Sequence, residues 1–374
     1  MSQRDGASHN INGRKTANHH INISIFFREH HSHFMATAKT LDLKIQRLRA
    51  DASCRDFILA DAKDADMGFG VAAPGPNSPG HPSGRPYRSL AEFHEIMAAI
   101  VEQGLIDIML MSASSSEVLT IDRRLFDESH VTPAVRANDT TDIWLGMSGR
   151  YTAQPSRPFR SATIDHIQCG HLGCTPEQRT RGANLGLYSV TFNNAVELDR
   201  ESLEHYAQFR VEAESKGFRH FLEVFAPNAP GDRAPGNVGR FLSDAIARTL
   251  AGVTRIARPI FLKIPYCGPE SMELLFHYDP TLVIGILGGS SGTTHDAFHL
   301  LAEAKKYGAR AALFGRKINY AEDQLAFVKH LRAVADDQLQ PAEAVRSYHG
   351  ELQRKNIKPL RSLDSDLALT EKYG

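Results

Sequence analysis

A lysine inside an apolar segment is the first residue of this chain that suggests chemistry. The stretch RPIFLKIPY places Lys263 in a run that otherwise has the composition of a buried strand. Burying an ammonium group without a partner is expensive, and a desolvated amine that becomes neutral can attack a carbonyl to form a Schiff base. The isolated pattern supports equally well a strand-end lysine that reaches solvent or pairs with Glu223.

Glycines at the ends of two later apolar runs give a second chemical signal. Gly288, Gly289 and Ser290 separate a predicted strand from a helix in VIGILGGSSGTTHDAF, and ARAALFGRKINY contains Gly315 and Arg316. Glycine lets backbone N–H groups approach an anion closely, a following helix N-terminus favours negative charge, and arginine can grip phosphoryl oxygens. Tight turns alone would also use these glycines, but two consecutive turns, the second with an arginine, favour a phosphate site.

The order of elements indicates a scaffold that would bring these residues together. From Leu41 onward, short apolar runs alternate with amphipathic helical patterns, as is typical of a parallel sheet with crossover helices. The predicted strands are Phe57–Ala60, Leu105–Met111, Asp142–Met147, Leu185–Phe192, His220–Phe225, Pro259–Ile264, Leu282–Leu287 and Ala309–Phe314. The clearest predicted helices are Ser89–Gln103, Arg200–Lys216, Val238–Leu250, Glu270–His277, Thr294–Tyr307 and Ala321–Ala335.

Eight strands with crossovers predict a single-domain (β/α)8 barrel, also called a TIM barrel. A doubly wound sheet would need a nucleotide-binding loop, and Gly68-Phe69-Gly70 lacks the third glycine of that fingerprint. Active sites of such barrels lie at the carboxyl ends of the strands. Asp61 follows the first predicted strand, Glu223 lies in the fifth and Lys263 in the sixth, where alternation would point Lys263 into the barrel.

Composition limits the classes of function and of partner. The 374 residues include 43 basic and 43 acidic side chains, so no net charge favours nucleic acid or an anionic membrane. No apolar run approaches a membrane span, and four cysteines in a chain of this length predict a reduced, cytoplasmic protein. Residues 1–34 are polar and histidine-rich and predict a disordered leader, followed by a barrel domain at residues 35–374 with a C-terminal helical extension.

Two histidines and two cysteines lie close together in a segment that fits no predicted barrel element. His166, Cys169, His171 and Cys174 have ligand-like spacing, but a structural zinc site normally uses spaced pairs from two places. We therefore interpret them as buried cysteines with surface histidines, and we expect neither a metal nor a cofactor.

The second half of the sequence resembles a known family. The order FLEVF, RPIFLKIPY, GILGGSSG and ALFGRKINYAED resembles the last four strands of barrel-type class I (Schiff-base) aldolases, in particular tagatose-bisphosphate and archaeal-type fructose-bisphosphate aldolases. The resemblance is loose from Phe57 to about His330 and specific from Leu185 onward. The resemblance implies that Lys263 forms the imine. It also implies that phosphate is bound by Gly288, Gly289, Gly315 and Arg316, and that the two acidic residues are Glu223 and Asp61.

The resulting hypothesis is a lyase that cleaves or forms a carbon–carbon bond in a phosphorylated ketose or related sugar phosphate. Glu223 or Asp61 would remove the hydroxyl proton, and Tyr188 would be the proton donor. The first-strand segment ADAKDADMGFG departs from the Asp-His-Gly pattern of the family, which leaves Lys63 and Asp64 in competition with Asp61. The alternatives are a flavin-dependent barrel oxidoreductase and a noncatalytic sugar-phosphate-binding barrel, and homo-oligomer formation is left open.

Overall fold

Eight parallel strands form a closed barrel in the computed structural model, which describes residues 37–77, 81–146, 148–289 and 292–371. The barrel strands are β1 (Ile58–Lys63), β2 (Ile108–Met111), β3 (Thr132–Arg136), β6 (Leu185–Thr191), β7 (Arg219–Phe225), β8 (Leu262–Ile264), β9 (Ile284–Leu287) and β10 (Ala311–Phe314). Pairing of Ile58 on β1 with Ala311 on β10 closes the barrel. The predicted leader, residues 1–34, lies outside the described residues.

Helices connect the strands and cover the barrel. They are α1 (Thr40–Ala50), α2 (Asp66–Phe69), α3 (Leu90–Gln103), α4 (Ala113–Ser116), α5 (Ile164–Cys169), α6 (Val196–Ser215), α7 (Val238–Ala251), α8 (Pro269–Tyr278), α9 (Thr294–Lys306), α10 (Arg316–Asn319), α11 (Gln324–Ala335), α12 (Pro341–Arg354) and α13 (Leu363–Leu367). The (β/α)8 architecture predicted from the sequence is confirmed, and each of the six clearest predicted helices matches an observed helix.

The third strand is not where the sequence pattern predicted it. Residues 142–146 form turns, and the third barrel strand is β3, Thr132–Arg136. Proline cannot donate to a strand ladder, so Pro133 argues against a central strand. Pro133 is nevertheless accommodated, because pairing of β3 with β6 begins only at Val135.

Two apolar layers follow from strand alternation. Inward-facing side chains form an inner cluster in which Phe221 and Phe261 stack with ring centroids 4.4 Å apart. Leu41 and Ile45 of α1 join this inner cluster, so α1 packs against the barrel interior. Outward-facing side chains such as Leu262 and Ile264 join the larger cluster that the helices cover. This pattern places Phe261 inside the barrel, on the same side of β8 as the inward direction predicted for Lys263.

A long excursion connects β3 to β6. It contains a two-stranded antiparallel sheet, β4 (Asp139–Thr140) with β5 (Pro158–Phe159), followed by α5. The structure joins Cys169 to Cys174 in a disulfide, a pairing that the sequence interpretation did not expect. Among the described residues, no group of three or more His, Cys, Asp or Glu side chains is arranged to hold a metal ion.

The C-terminal extension, residues 341–371 with α12 and α13, packs against α9 and α11. Asp366 accepts a hydrogen bond from the backbone N–H of Thr294 at 2.7 Å, and Asp296 accepts from the backbone N–H groups of Thr370 and Glu371. These contacts hold residues 366–371 at the start of α9. In the described part of the chain, no helix combines the length and the apolar character needed to cross a membrane.

Candidate active site

Lys263 lies in a buried ion pair at the carboxyl end of the barrel. Its Nζ is 2.6 Å from Oε1 of Glu223, and the two side chains are 8% and 1% exposed. The pairing follows from the register of β7 and β8, which places Glu223 directly beside Lys263. The two residues that the sequence singled out on neighbouring strands are therefore in contact.

A second buried pair completes the network around Glu223. Nε of Arg136 on β3 is 2.6 Å from Oδ2 of Asp64, and its Nη2 is 3.3 Å from Oε2 of Glu223. Ser189 on β6 donates to Oε2 of Glu223 at 2.5 Å and accepts from Nη1 of Arg136 at 3.0 Å. Two cations and two carboxylates thus compensate one another inside the barrel mouth.

The network keeps the Glu223 carboxylate charged despite its burial. Burial acts to raise the pKa of Glu223, but Lys263 and Arg136 outweigh it and hold that pKa below its ordinary value. Burial also opposes the charge on Arg136, but Asp64 and Glu223 raise the pKa of its guanidinium. Glu223 is therefore an ionised proton acceptor within hydrogen-bond distance of the Lys263 amine.

This network forms one wall of a cavity of about 390 Å³, here called the barrel-mouth cavity. Its other walls include glycines from the ends of β9 and β10 and apolar side chains. The lining residues used below are Asp64, Phe69, Arg136, Glu223, Phe225, Lys263, Gly288, Gly289, Gly315 and Arg316. The sequence-predicted lysine, glutamate, glycines and arginine therefore border a single cavity.

The glycines after β9 allow the close packing seen there. Gly289 has φ of +69°, which favours glycine, and a Cβ on Gly288 would lie 2.4 Å from the Phe314 ring. The guanidinium of Arg316 lies 5.2 Å from the centroid of the Phe69 ring at the edge of the cavity. Ser290, also predicted to bind phosphate, lies outside the described residues.

The N-terminus of α9 is not open to a substrate anion, in contrast to the sequence expectation. The backbone N–H of Thr293 donates to Asp296 at 2.7 Å, and that of Thr294 donates to Asp366. Carboxylates of the chain itself therefore occupy these donors. Among the described residues, the groups near the barrel-mouth cavity that remain for an anion are the backbone of Gly289, the backbone of Gly315 and the Arg316 side chain.

Asp61 does not reach the barrel-mouth cavity. It is fully buried on the outer side of β1, where its Oδ2 is 3.1 Å from Nζ of Lys63. Burial raises the pKa of Asp61 to about 6. Lys63 also donates to the side-chain oxygens of Asn319 at 2.5 Å and Gln324 at 2.6 Å, so it faces the helices. Asp64, one residue beyond β1, is the acid of this segment that lines the cavity.

Tyr188 also points away from the site. Its ring stacks on Phe209 with centroids 4.5 Å apart and packs beside Tyr206, in the layer between β6 and α6. Burial raises the pKa of Tyr188 above its ordinary value. Strand alternation explains the outward direction of Tyr188, because its neighbours Leu187 and Ser189 on β6 both face inward.

Besides Ser189, Arg136 is the polar site residue that the sequence reasoning missed. Misplacing the third strand hid it, although an arginine that ends an apolar run, VTPAVR, gives the same signal as Lys263.

Comparison with known proteins supports the fold and adds no close relative. No model of a known protein family matches the chain, and no curated protein sequence is significantly similar to it. Solved structures do match. The fold is similar to that of fructose-bisphosphate aldolases.

Three of these structures set the extent of the similarity. An archaeal fructose 1,6-bisphosphate aldolase superposes with a TM-score of 0.55 at 14% identity, over 78% of this chain and 98% of the other. The fructose-bisphosphate aldolase of Slackia heliotrinireducens gives 0.57 at 14% identity, over 82% and 91%. A Schiff base forming fructose-1,6-bisphosphate aldolase gives 0.53 at 14% identity, over 79% and 99%. The resemblance to aldolase barrels inferred from the sequence is therefore confirmed at the level of the fold.

Proposed function

We propose that this chain is a class I aldolase that forms a Schiff base between Lys263 and a phosphorylated ketose or related sugar phosphate. The observation that carries the proposal is the 2.6 Å pair between Lys263 and Glu223, which borders the cavity that also contains Gly289, Gly315 and Arg316. Imine chemistry on a phosphorylated ketone requires an amine, an adjacent proton acceptor and a positively charged site for the phosphate within one cavity.

Glu223 is positioned to assist imine formation. Transfer of a proton from the Lys263 ammonium to the Glu223 carboxylate leaves a neutral amine, whose lone pair attacks the substrate carbonyl carbon. The protonated Glu223 can then return its proton to the carbinolamine hydroxyl, which leaves as water and gives the iminium. Ser189 and Arg136, which contact Oε2, hold the carboxylate with Oε1 towards Lys263.

Asp64 is the second carboxylate of the cavity, and it takes the role of hydroxyl-proton acceptor that the sequence hypothesis gives to Asp61. In the cleavage direction it would remove the proton of the hydroxyl group on the far carbon of the bond that breaks, and this carbon becomes the aldehyde carbon. The bonding electrons then move into the iminium, which becomes an enamine, and the aldehyde product leaves. Protonation of the enamine and hydrolysis of the iminium regenerate Lys263.

The phosphate of the substrate would lie at the opposite wall. Backbone N–H groups of the Gly289 and Gly315 loops and the Arg316 guanidinium would hold it, which fixes the carbonyl relative to Lys263. Phe69, beneath Arg316, keeps the guanidinium at the cavity edge.

Reductive trapping tests the proposal directly. Borohydride added with a panel of ketose phosphates should leave a stable adduct, seen by intact mass, and peptide mapping should place it on Lys263. The Lys263→Met variant should fold, bind phosphate and give no adduct. Lys263→Arg should behave likewise, because a guanidinium does not deprotonate to attack a carbonyl.

Three outcomes would contradict the assignment. Binding of sugar phosphate without any adduct would favour a noncatalytic binding barrel, and a yellow protein as purified would favour the flavin alternative. An adduct mapped to Lys63 would contradict the site, since Lys63 is fully buried against Asn319 and Gln324.

A further inference from the structure

A second cavity, of about 400 Å³, adjoins the barrel-mouth cavity on the outer side of Arg316 and is here called the flanking cavity. The two cavities share Ala65, Phe69 and Arg316. The additional walls come from the start of α9, from α10 and the beginning of α11, and from the C-terminal extension. The wall residues used in the argument are Ala72, Ala73, Lys317, Ala321, Glu322, Phe327, Leu360, Arg361 and Asp366.

The two acids of the flanking cavity form their hydrogen bonds with groups other than its basic side chains. Glu322 already accepts from the hydroxyl of Tyr348 at 2.8 Å and from the backbone N–H of Leu360 at 2.7 Å. Asp366 accepts from the backbone N–H of Thr294 and is paired with His349 at 2.9 Å. Both carboxylates are thus committed to holding the C-terminal extension.

Three basic side chains remain. Arg316 lies over an aromatic ring, and Arg361 is exposed at the rim. Lys317 donates to the carbonyls of Gly292 at 2.6 Å and Thr293 at 2.8 Å, which leaves one of its three N–H bonds for a ligand. Burial lowers the pKa of Lys317 and the nearby charge of Arg361 adds to this shift, whereas the carboxylates of Asp366, Asp296 and Glu371 oppose it. The lining of the cavity thus contains three basic side chains and two carboxylates.

Much of the remaining cavity wall is apolar. Phe69, Ala72, Ala73, Ala321 and Phe327 line it, and Leu360, at its rim, is 72% exposed. An apolar pocket with a few convergent polar groups is the usual form of a small-molecule site. A free inorganic ion would leave this apolar surface without a partner.

We propose that the flanking cavity binds an organic phosphate, with the phosphate on Arg316, Lys317 and Arg361 and an apolar or aromatic group among Phe69, Phe327 and Leu360. Because Arg316 also borders the barrel-mouth cavity, two sources of such a ligand are consistent with the shared chemistry. The organic group is either a substituent on the substrate's own phosphate or part of a separate effector. Only the distinction between these sources depends on the proposed aldolase function.

Direct binding to the full chain tests the inference, with phenyl phosphate and inorganic phosphate as probes in calorimetry. Burial of the phenyl group should make the Kd of phenyl phosphate at least about tenfold lower than that of inorganic phosphate. Leu360→Asp and Arg361→Ala should each raise the Kd of phenyl phosphate by about fivefold or more, from lost apolar contact and lost charge respectively. Leu360→Asp should raise the Kd of inorganic phosphate by a smaller factor than that of phenyl phosphate, because only the repulsion by the new carboxylate acts on a free phosphate and no apolar contact is lost.

A matched control is Leu369→Asp, because Leu369 is 50% exposed in the same segment and lines neither cavity. It should leave both Kd values unchanged. Equal affinity for the two probes in the unmodified chain, or equal losses in Leu360→Asp and Leu369→Asp, would overturn the inference.

The two sources are separated with protein whose Lys263 has been reductively trapped with dihydroxyacetone phosphate. Loss of phenyl phosphate binding to the adduct assigns the flanking cavity to a substituent of the substrate phosphate, and retained binding that still depends on Leu360 assigns it to an effector. If no adduct forms, the aldolase proposal fails, whereas the comparison of the two probes still decides whether the flanking cavity is a binding site.

Discussion

The two carboxylates of the barrel mouth have different neighbours, which gives them separable roles. Glu223 contacts the Lys263 amine, whereas Asp64 contacts Arg136. We therefore expect Glu223→Gln to slow imine formation by about 10²-fold or more, because proton transfer from and to the nitrogen is lost. Asp64→Asn should still form the trapped imine but should cleave substrate about 10²-fold more slowly.

Single-turnover trapping and steady-state cleavage, measured on both variants, distinguish these effects. Thermal unfolding serves as the control, since each substitution removes one charge from a buried network. If Asp64→Asn abolishes trapping as fully as Glu223→Gln does, the division of roles between the two acids is wrong.

Arg316 should contribute to binding and little to the chemical step. In the proposed complex it contacts a phosphate that is present in both the ground state and the transition state. Arg316→Ala should therefore mainly raise KM, by on the order of 2 to 4 kcal/mol, with kcat nearly unchanged. Arg240, exposed on α7 and paired with Asp244, is a matched surface control. An equal loss with a phosphate-free ketose would show that Arg316 is structural.

Residue type was readable from the sequence more reliably than residue direction. Lys263 and Glu223 stood out because charged groups interrupt apolar strands. The sequence pattern places Asp61, and not Asp64, directly after the first strand, because it predicts that this strand ends at Ala60. In the structure, β1 continues to Lys63. The strand passes through Asp61 and Lys63 because these pair with each other and Lys63 also bonds to Asn319 and Gln324, partners more than 250 residues away that no local pattern shows.

At the scale of elements, periodicity predicted six of the helices and seven of the eight barrel strands. The one misplaced strand shows the limit of composition, since the apolar residues of 142–147 outweighed VTPAVR, which contains a proline. Trp144 instead packs on Tyr151 and Phe159 in the excursion, with centroids 4.9 Å and 5.5 Å apart. A local apolar run therefore indicates burial, and tertiary pairing decides whether it becomes a strand.

The junction between α9 and the C-terminal extension should be sensitive to acid. Burial acts to raise the pKa of Asp296, but hydrogen bonds from Thr370, Thr293 and Glu371 outweigh it and lower that pKa from its ordinary 3.8 to about 2. Because the folded-state pKa is depressed, this stabilisation is present above about pH 4 and is lost as the pH falls towards 2, by on the order of 2 kcal/mol.

Asp296→Asn should remove this acid sensitivity and loosen residues 366–371 already at neutral pH, because an amide has one acceptor oxygen and cannot satisfy all the same donors. Both effects are measured by hydrogen exchange of the Thr370 and Glu371 amides, compared between the variant and the unmodified chain at pH 7 and near pH 3. Unchanged protection of these amides in the variant would refute the role given to Asp296.

At the scale of the whole molecule, closure of the barrel depends on α1 as well as on the eight strands. Leu41 is fully buried and Ile45 is 7% exposed, and both belong to the cluster inside the barrel. Lys44 adds a 2.8 Å pair with Asp107 beside β2, and Arg49 donates to the carbonyl of Ile260. Helix α1 thus covers the end of the barrel opposite the barrel-mouth cavity.

Two truncations should separate the leader from this closing helix. A chain that starts at Met35 loses only the polar leader, so its Tm should stay within about 1 °C and trapping on Lys263 should persist. A chain that starts at Ala52 also loses α1 and exposes the apolar surface that Leu41 and Ile45 cover, at a cost on the order of 3 to 6 kcal/mol. Thermal unfolding of both chains beside the full-length protein measures the difference. A large Tm loss for the Met35 chain would show that the leader stabilises the fold, and an unchanged Tm for the Ala52 chain would show that the strands close the barrel without α1.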